Sequence, residues 1–74
     1  MPLSDEEIRD RMTYHRPSPE GVGRHEHLSN AIGRAMEAVE ATCPDGREKA
    51  LAFTNLEQAK MWASAAVARD PQTR

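Results

Sequence analysis

The chain has 74 residues, ten basic and twelve acidic, with a formal net charge of −2, 38% hydrophobic residues and only 4% aromatic ones. That is one domain at most; the charge balance excludes a polybasic grip on duplex nucleic acid, and no run of roughly 18–20 apolar residues could span a membrane. No basic n-region precedes an apolar stretch, so no secretory signal is expected, and the single Cys43 excludes an intramolecular disulfide, which leaves a small soluble intracellular protein as the expectation.

Ser4-Asp5-Glu6-Glu7 has the S-x-x-E form of a capping box, with Leu3 as the preceding apolar staple residue. Ile8 and Met12 follow one turn apart, so a short helix is predicted from about Asp5 to Met12. It stops in Tyr14-His15-Arg16-Pro17-Ser18-Pro19, where two prolines enforce extended or turn geometry. Ser18, Pro19 and Glu20 then supply an N-cap, a first-turn proline and a first-turn acid for a second helix. Gly21 and Gly23 are expected to fray its beginning. Leu28, Ile32, Ala35, Val39 and Thr42 recur with 4-3-4-3 spacing, the seam of a helix packed nearly parallel to another.

Cys43-Pro44-Asp45-Gly46 breaks that helix, and Asp45 with Glu48 forms a second capping-box pattern. A third helix is predicted from about Gly46 to Arg69, closed by Asp70-Pro71. It carries two apolar stripes, one of Phe53, Leu56, Met61, Ala63 and Val67, the other of Ala52, Ala59, Trp62 and Ala66. A hairpin partner covers one side of such a helix; the other side calls for a further chain. Eleven of the 74 residues are alanine, so there is little large apolar surface to bury. With a disulfide impossible and a metal unsupported, self-association is the remaining route to stability. The predicted fold is all-α: an N-terminal arm over 1–18, an antiparallel hairpin of two helices over 19–69, each about 35 Å long, and a short tail over 70–74, assembled as a homo-oligomer.

Catalysis has little support. Cys43 continues the apolar seam and has no neighbour that would activate a thiolate. His25 and His27 sit two residues apart, which on a helix sends them to opposite flanks, so they cannot close one tetrahedral metal site. Gly21-Val22-Gly23 lacks the preceding strand that a phosphate loop requires. No metal, cofactor or catalytic residue is expected. Tyr14-His15-Arg16-Pro17 is more suggestive, because an aromatic ring offers a flat face to a base and a guanidinium pairs with phosphate. The competing reading makes Tyr14 a cap on the hydrophobic core of the hairpin. Arg24, Arg34 and Arg69 read singly as solvated charges; repeated about a symmetry axis, one arginine per chain becomes a ring of positive charge.

The run Arg47-Glu48, Leu51-Ala52, Thr54, Leu56-Glu57, Ala59, Trp62-Ala63, Ala65 and Ala68-Arg69 resembles the C-terminal helix of the phage anti-CBASS and anti-Thoeris sponge proteins, with Ala50 and Ser64 replacing the usual Ser and Asn. Tyr14-His15-x-Pro17 followed by Arg24-His25 is similar to the opening of that family. The resemblance implies a phage protein that sequesters cyclic dinucleotides or trinucleotides in the cytoplasm of the infected bacterium, without cleaving them, as an interlocked homohexamer with pockets between protomers. It implies Tyr14 as the stacking residue, with His15, Arg24, Ser29 and Asn30 as further ligand-binding residues, and Arg69 at a trinucleotide site. Ser29 stands where family members commonly have Lys or Arg; a hydroxyl still donates to phosphate without charge assistance, and Arg24 lies one turn earlier to compensate. The alternative is a structural or adaptor helical oligomer with no small-molecule ligand.

Overall fold

The computed structural model describes residues 2–14 and 16–73. Helix α1 spans Asp5–Met12, α2 spans Pro19–Thr42, α3 spans Arg47–Arg69, and a single 3-10 turn follows at Pro71–Thr73. The described residues contain no strand.

Local chemistry accounts for the helix ends. Ser4 Oγ accepts from the Glu7 amide at 3.1 Å, and three acids occupy the first turn of α1, where they favour the positive end of the helix dipole. Thr13 closes that helix, its amide donating to the Arg9 carbonyl at 2.9 Å. At α2, Ser18 Oγ accepts from the Gly21 amide at 3.1 Å with Pro19 in the first turn. The third start differs from expectation. Gly46 is the N-cap of α3 and makes no side-chain cap, while the Asp45 carboxylate binds Lys49 Nζ at 3.0 Å. Asp45 precedes the helix, and its carboxylate pairs with the lysine one turn further on. Gly46 has φ 151°, a backbone conformation that side chains with a Cβ rarely adopt.

Helices α2 and α3 pair with each other, and the 3-10 turn touches both. Leu28, Ile32, Ala35 and Val39 on α2 and Phe53, Leu56, Ala63 and Val67 on α3 are half-buried along the seam, as their spacing predicts; Thr42 is exposed. Met61 departs from its predicted stripe and is 65% exposed. Five residues beyond Leu56 it lies about 140° round the helix, away from the seam. Ala52 moves the other way and is half-buried. The second stripe faces outward, with Ala59 and Ala66 exposed and Trp62 67% exposed.

Among the described residues no hydrophobic side chain is buried. The chain exposes 5991 Å², whereas a compact monomer of this mass exposes about 4600 Å². Its radius of gyration is 15.8 Å, against roughly 11 Å for a compact domain of this length. The described residues thus form a long, thin hairpin without an enclosed apolar core.

Two polar assemblies close its ends. At the turn end, Lys49 is 8% exposed and Nζ donates to the Glu40 carbonyl at 3.3 Å and to Asp45 Oδ1 at 3.0 Å, with Glu40 Oε2 at 3.2 Å. The hydrogen bond to Asp45, with help from Glu40 and against partial desolvation, raises the Lys49 pKa above its ordinary value. At the open end, Thr73 is 1% exposed, the most enclosed side chain described. The Ser18 amide donates to the Thr73 carbonyl at 3.0 Å. The first turn of α2 is formed despite Gly21 and Gly23, with this contact and the Ser18 cap at its start and Gly21 buried. A Cβ on Gly21 would meet the Thr73 carbonyl oxygen at 2.3 Å, so the missing side chain permits the approach.

Candidate ligand-binding site

Helix α1 ends two residues before Tyr14, and Pro17 turns the chain into α2, so Tyr14 sits in a short connection beside the open end of the hairpin. Tyr14 is 83% exposed, which overturns the reading in which Tyr14 caps the hairpin core. Instead it helps line a cleft of 510 Å³ together with Arg11 from α1, His25 from α2, and Met61 and Arg69 from α3. An exposed aromatic face and two guanidiniums about one cavity suit a ligand with both bases and phosphates. Asp10 lies on the same wall and tempers the positive charge.

Ser29 and Asn30 are on a neighbouring groove, also 510 Å³, which shares Pro17 and His25 with the Tyr14 cleft. Glu26 contributes to that groove, so its polar lining is a hydroxyl, an amide and an acid beside one histidine. Arg24 faces a third surface with His27 and Leu28. There its Nη2 donates to Glu20 Oε1 at 2.9 Å and its Nη1 lies 3.5 Å from Asp70 Oδ2. Within one protomer the structure therefore brings together Tyr14 and Arg69, sets Ser29 and Asn30 one groove away, and turns Arg24 to a separate face. His15 lies outside the described residues. Arg34 is exposed along α2.

Sequence reasoning did not assign Arg11, His25 or Met61 to a ligand site. His25 and Ser29 are one helical turn apart, as are Val22 and Glu26, and Glu26 and Asn30, so the α2 side of the neighbouring groove has an i,i+4 signature, and His25 is the α2 residue it shares with the Tyr14 cleft. Arg11 and Met61 carry no such signal, since their relation to Tyr14 depends on how the arm lies beside α3. His25 and His27 line different surfaces. No group of three or more His, Cys, Asp or Glu side chains among the described residues could hold a metal ion. No helix in the described residues is long and apolar enough to cross a membrane.

The geometry defines an all-α hairpin with an open cavity of aromatic and cationic character beside its free end. The family model for the Acb2/Tad1 hairpin domain matches residues 4–68, and the chain belongs to this family, the anti-CBASS and anti-Thoeris sponges. Membership implies a phage anti-defence role as a cyclic-nucleotide sponge. Comparisons with curated proteins and with solved structures found no match.

Proposed function

We propose that this chain is a phage-encoded sponge that binds cyclic dinucleotides or trinucleotides and releases them unaltered, lowering the free messenger available to host CBASS-type defence in the infected cell. The observation that carries the reading is the sharing of one cleft by the exposed Tyr14 ring and Arg69 in a member of this family. Tyr14 stacks on a base and Arg69 meets phosphate; Ser29 and Asn30 donate to the ligand from the adjoining groove. Arg69 lies one residue past the matched segment, so its role rests on the resemblance of the α3 run and on its place in the cleft.

The working unit in this proposal is a homo-oligomer, a hexamer by family likeness. The outward stripe at Trp62 and Ala66 and the excess exposed surface support association. In the assembly, Arg24 on its separate face and Ser29 on its groove reach a ligand shared between protomers. No step of this function forms or breaks a covalent bond, so neither a catalytic residue nor a cofactor is invoked.

Calorimetric titration with a panel of cyclic di- and trinucleotides, including cyclic ADP-ribose variants, tests the proposal, with light scattering to count chains. Micromolar or tighter binding is expected, with intact ligand recovered by chromatography. An assembled protein that binds none of the panel is the result expected of a structural adaptor and overturns the sponge reading.

A further inference from the structure

The segment after α3 has no part in the functions described so far, and it lies beyond the residues that the family model matches. It nevertheless holds several hydrogen bonds at the open end, and Thr73 is buried. The Thr73 hydroxyl donates to the Val67 carbonyl and approaches the Asp70 carbonyl at 3.1 Å, one proton shared between two acceptors. The Thr73 amide donates to the Asp70 carbonyl at 3.0 Å, and Asp70 Oδ1 accepts from the Gln72 amide at 3.0 Å. In the other direction the Thr73 carbonyl accepts from the Ser18 amide, and its oxygen presses on Gly21. Asp70 and Arg24 add a charged contact at 3.5 Å beside it.

These contacts join the two walls of the Tyr14 cleft. Val67 and Asp70 flank Arg69 on either side, so the hydroxyl of Thr73 anchors the backbone that carries Arg69. Ser18 ends the connection that begins at Tyr14, so the carbonyl of Thr73 anchors the backbone that carries Tyr14. Every residue of α1 except the half-buried Asp10 is exposed, and Tyr14 lies open to solvent. We infer that Thr73 is a positioning residue, which fixes the distance between Tyr14 and Arg69 and thereby the affinity of the cleft for a cyclic oligonucleotide. The inference rests on the sponge reading for its ligand. The physical basis is preorganisation: a cleft whose walls are already set spends less binding free energy on ordering them.

Two variants loosen the anchor by different routes. Thr73→Val removes the hydroxyl with little change of shape, and Gly21→Ala drives a Cβ into the Thr73 carbonyl. Thr73→Ser keeps the hydroxyl and serves as the rescue. Tyr14 is the sole tyrosine, so fluorotyrosine labelling gives a single fluorine resonance that reports on the cleft without ligand. Ser18 amide hydrogen exchange reports on the anchor itself, and titrations use cyclic di-GMP and cyclic tri-AMP.

The expected result is faster Ser18 exchange and a shifted or broadened fluorine resonance in Thr73→Val and Gly21→Ala, with Thr73→Ser close to the parent. Affinity for whichever probe the parent binds should fall about five- to tenfold in both loosened variants, the scale of one lost hydrogen bond. Unchanged affinity or an unchanged resonance despite faster Ser18 exchange overturns the inference, and so does unchanged Ser18 exchange in both variants. A parent protein that binds neither these probes nor the rest of the panel defeats the sponge reading, while the fluorine and exchange measurements still decide whether Thr73 positions Tyr14.

Discussion

The two ends of the hairpin are closed by different chemistry. At the turn end a lysine is enclosed by two carboxylates and a carbonyl, and both carboxylates belong to exposed side chains. At the open end the closing groups are mostly neutral: a threonine hydroxyl, backbone amides and backbone carbonyls, with the Asp70 carboxylate bound to the Gln72 amide and near Arg24 at the edge. Each end also depends on one glycine, for unlike reasons. Gly46 supplies a backbone angle, and Gly21 supplies an absence of volume. Electrostatic closure responds to pH and salt, while closure by neutral hydrogen bonds responds to shape. The cleft sits at the end closed mainly by hydroxyl and backbone groups.

Substitutions can separate the two ends. The largest effect is expected at the cleft: Tyr14→Ala should weaken cyclic-oligonucleotide binding about tenfold or more, the value of stacking on one base. Asp45→Asn at the far end should leave affinity as it was; calorimetric titration of both variants makes the comparison. Next comes Gly46→Ala, which forces a Cβ onto a backbone at φ 151° and should cost roughly 1–3 kcal/mol of unfolding free energy, read from denaturant midpoints.

Gly21→Ala and Gly23→Ala make a finer pair, since both place alanine in the same turn of α2. Nothing lies within 4 Å of a Cβ at Gly23, so that change should stabilise the chain by about 0.5–1 kcal/mol through helix propensity. Gly21→Ala should forfeit that gain and lower the melting temperature. Two stabilising alanines would show that Thr73 yields at no cost.

The smallest effect belongs to Lys49. Its hydrogen bond to Asp45 raises its folded-state pKa above 10.5, the ordinary value. The folded chain therefore holds this proton more tightly than the unfolded one. The resulting stability is fully present below that ordinary value and is lost as pH climbs through the higher folded-state value. Melting temperatures followed into the alkaline range should fall there, and less steeply in Asp45→Asn or at high salt, which weakens exposed pairs.

The helices were legible because their signals are local. Ser4 and Ser18 cap helices within three residues, and the paired prolines separate α1 from α2. The Asp45 pattern located α3 and mistook its cap, since a capping box and a lysine one turn further compete for the same carboxylate. Met61 was placed in one stripe with Phe53, Leu56, Ala63 and Val67 by its apolar character although its phase turns it away from them. The site was legible only in part. Tyr14 and Arg69 stood out by type, and their meeting depends on folding across more than fifty residues of chain. Thr73 carried no signal, because its enclosure follows from an approach to Gly21 that no periodicity encodes.

Trp62 has a practical consequence of its own. It is the sole tryptophan, and it stands on the outward side of α3 with its indole in water. Emission from such a ring lies toward the red and moves blue when a neighbouring surface displaces the solvent. Fluorescence colour during serial dilution thus follows the meeting and parting of copies at that face, with no dye or label attached.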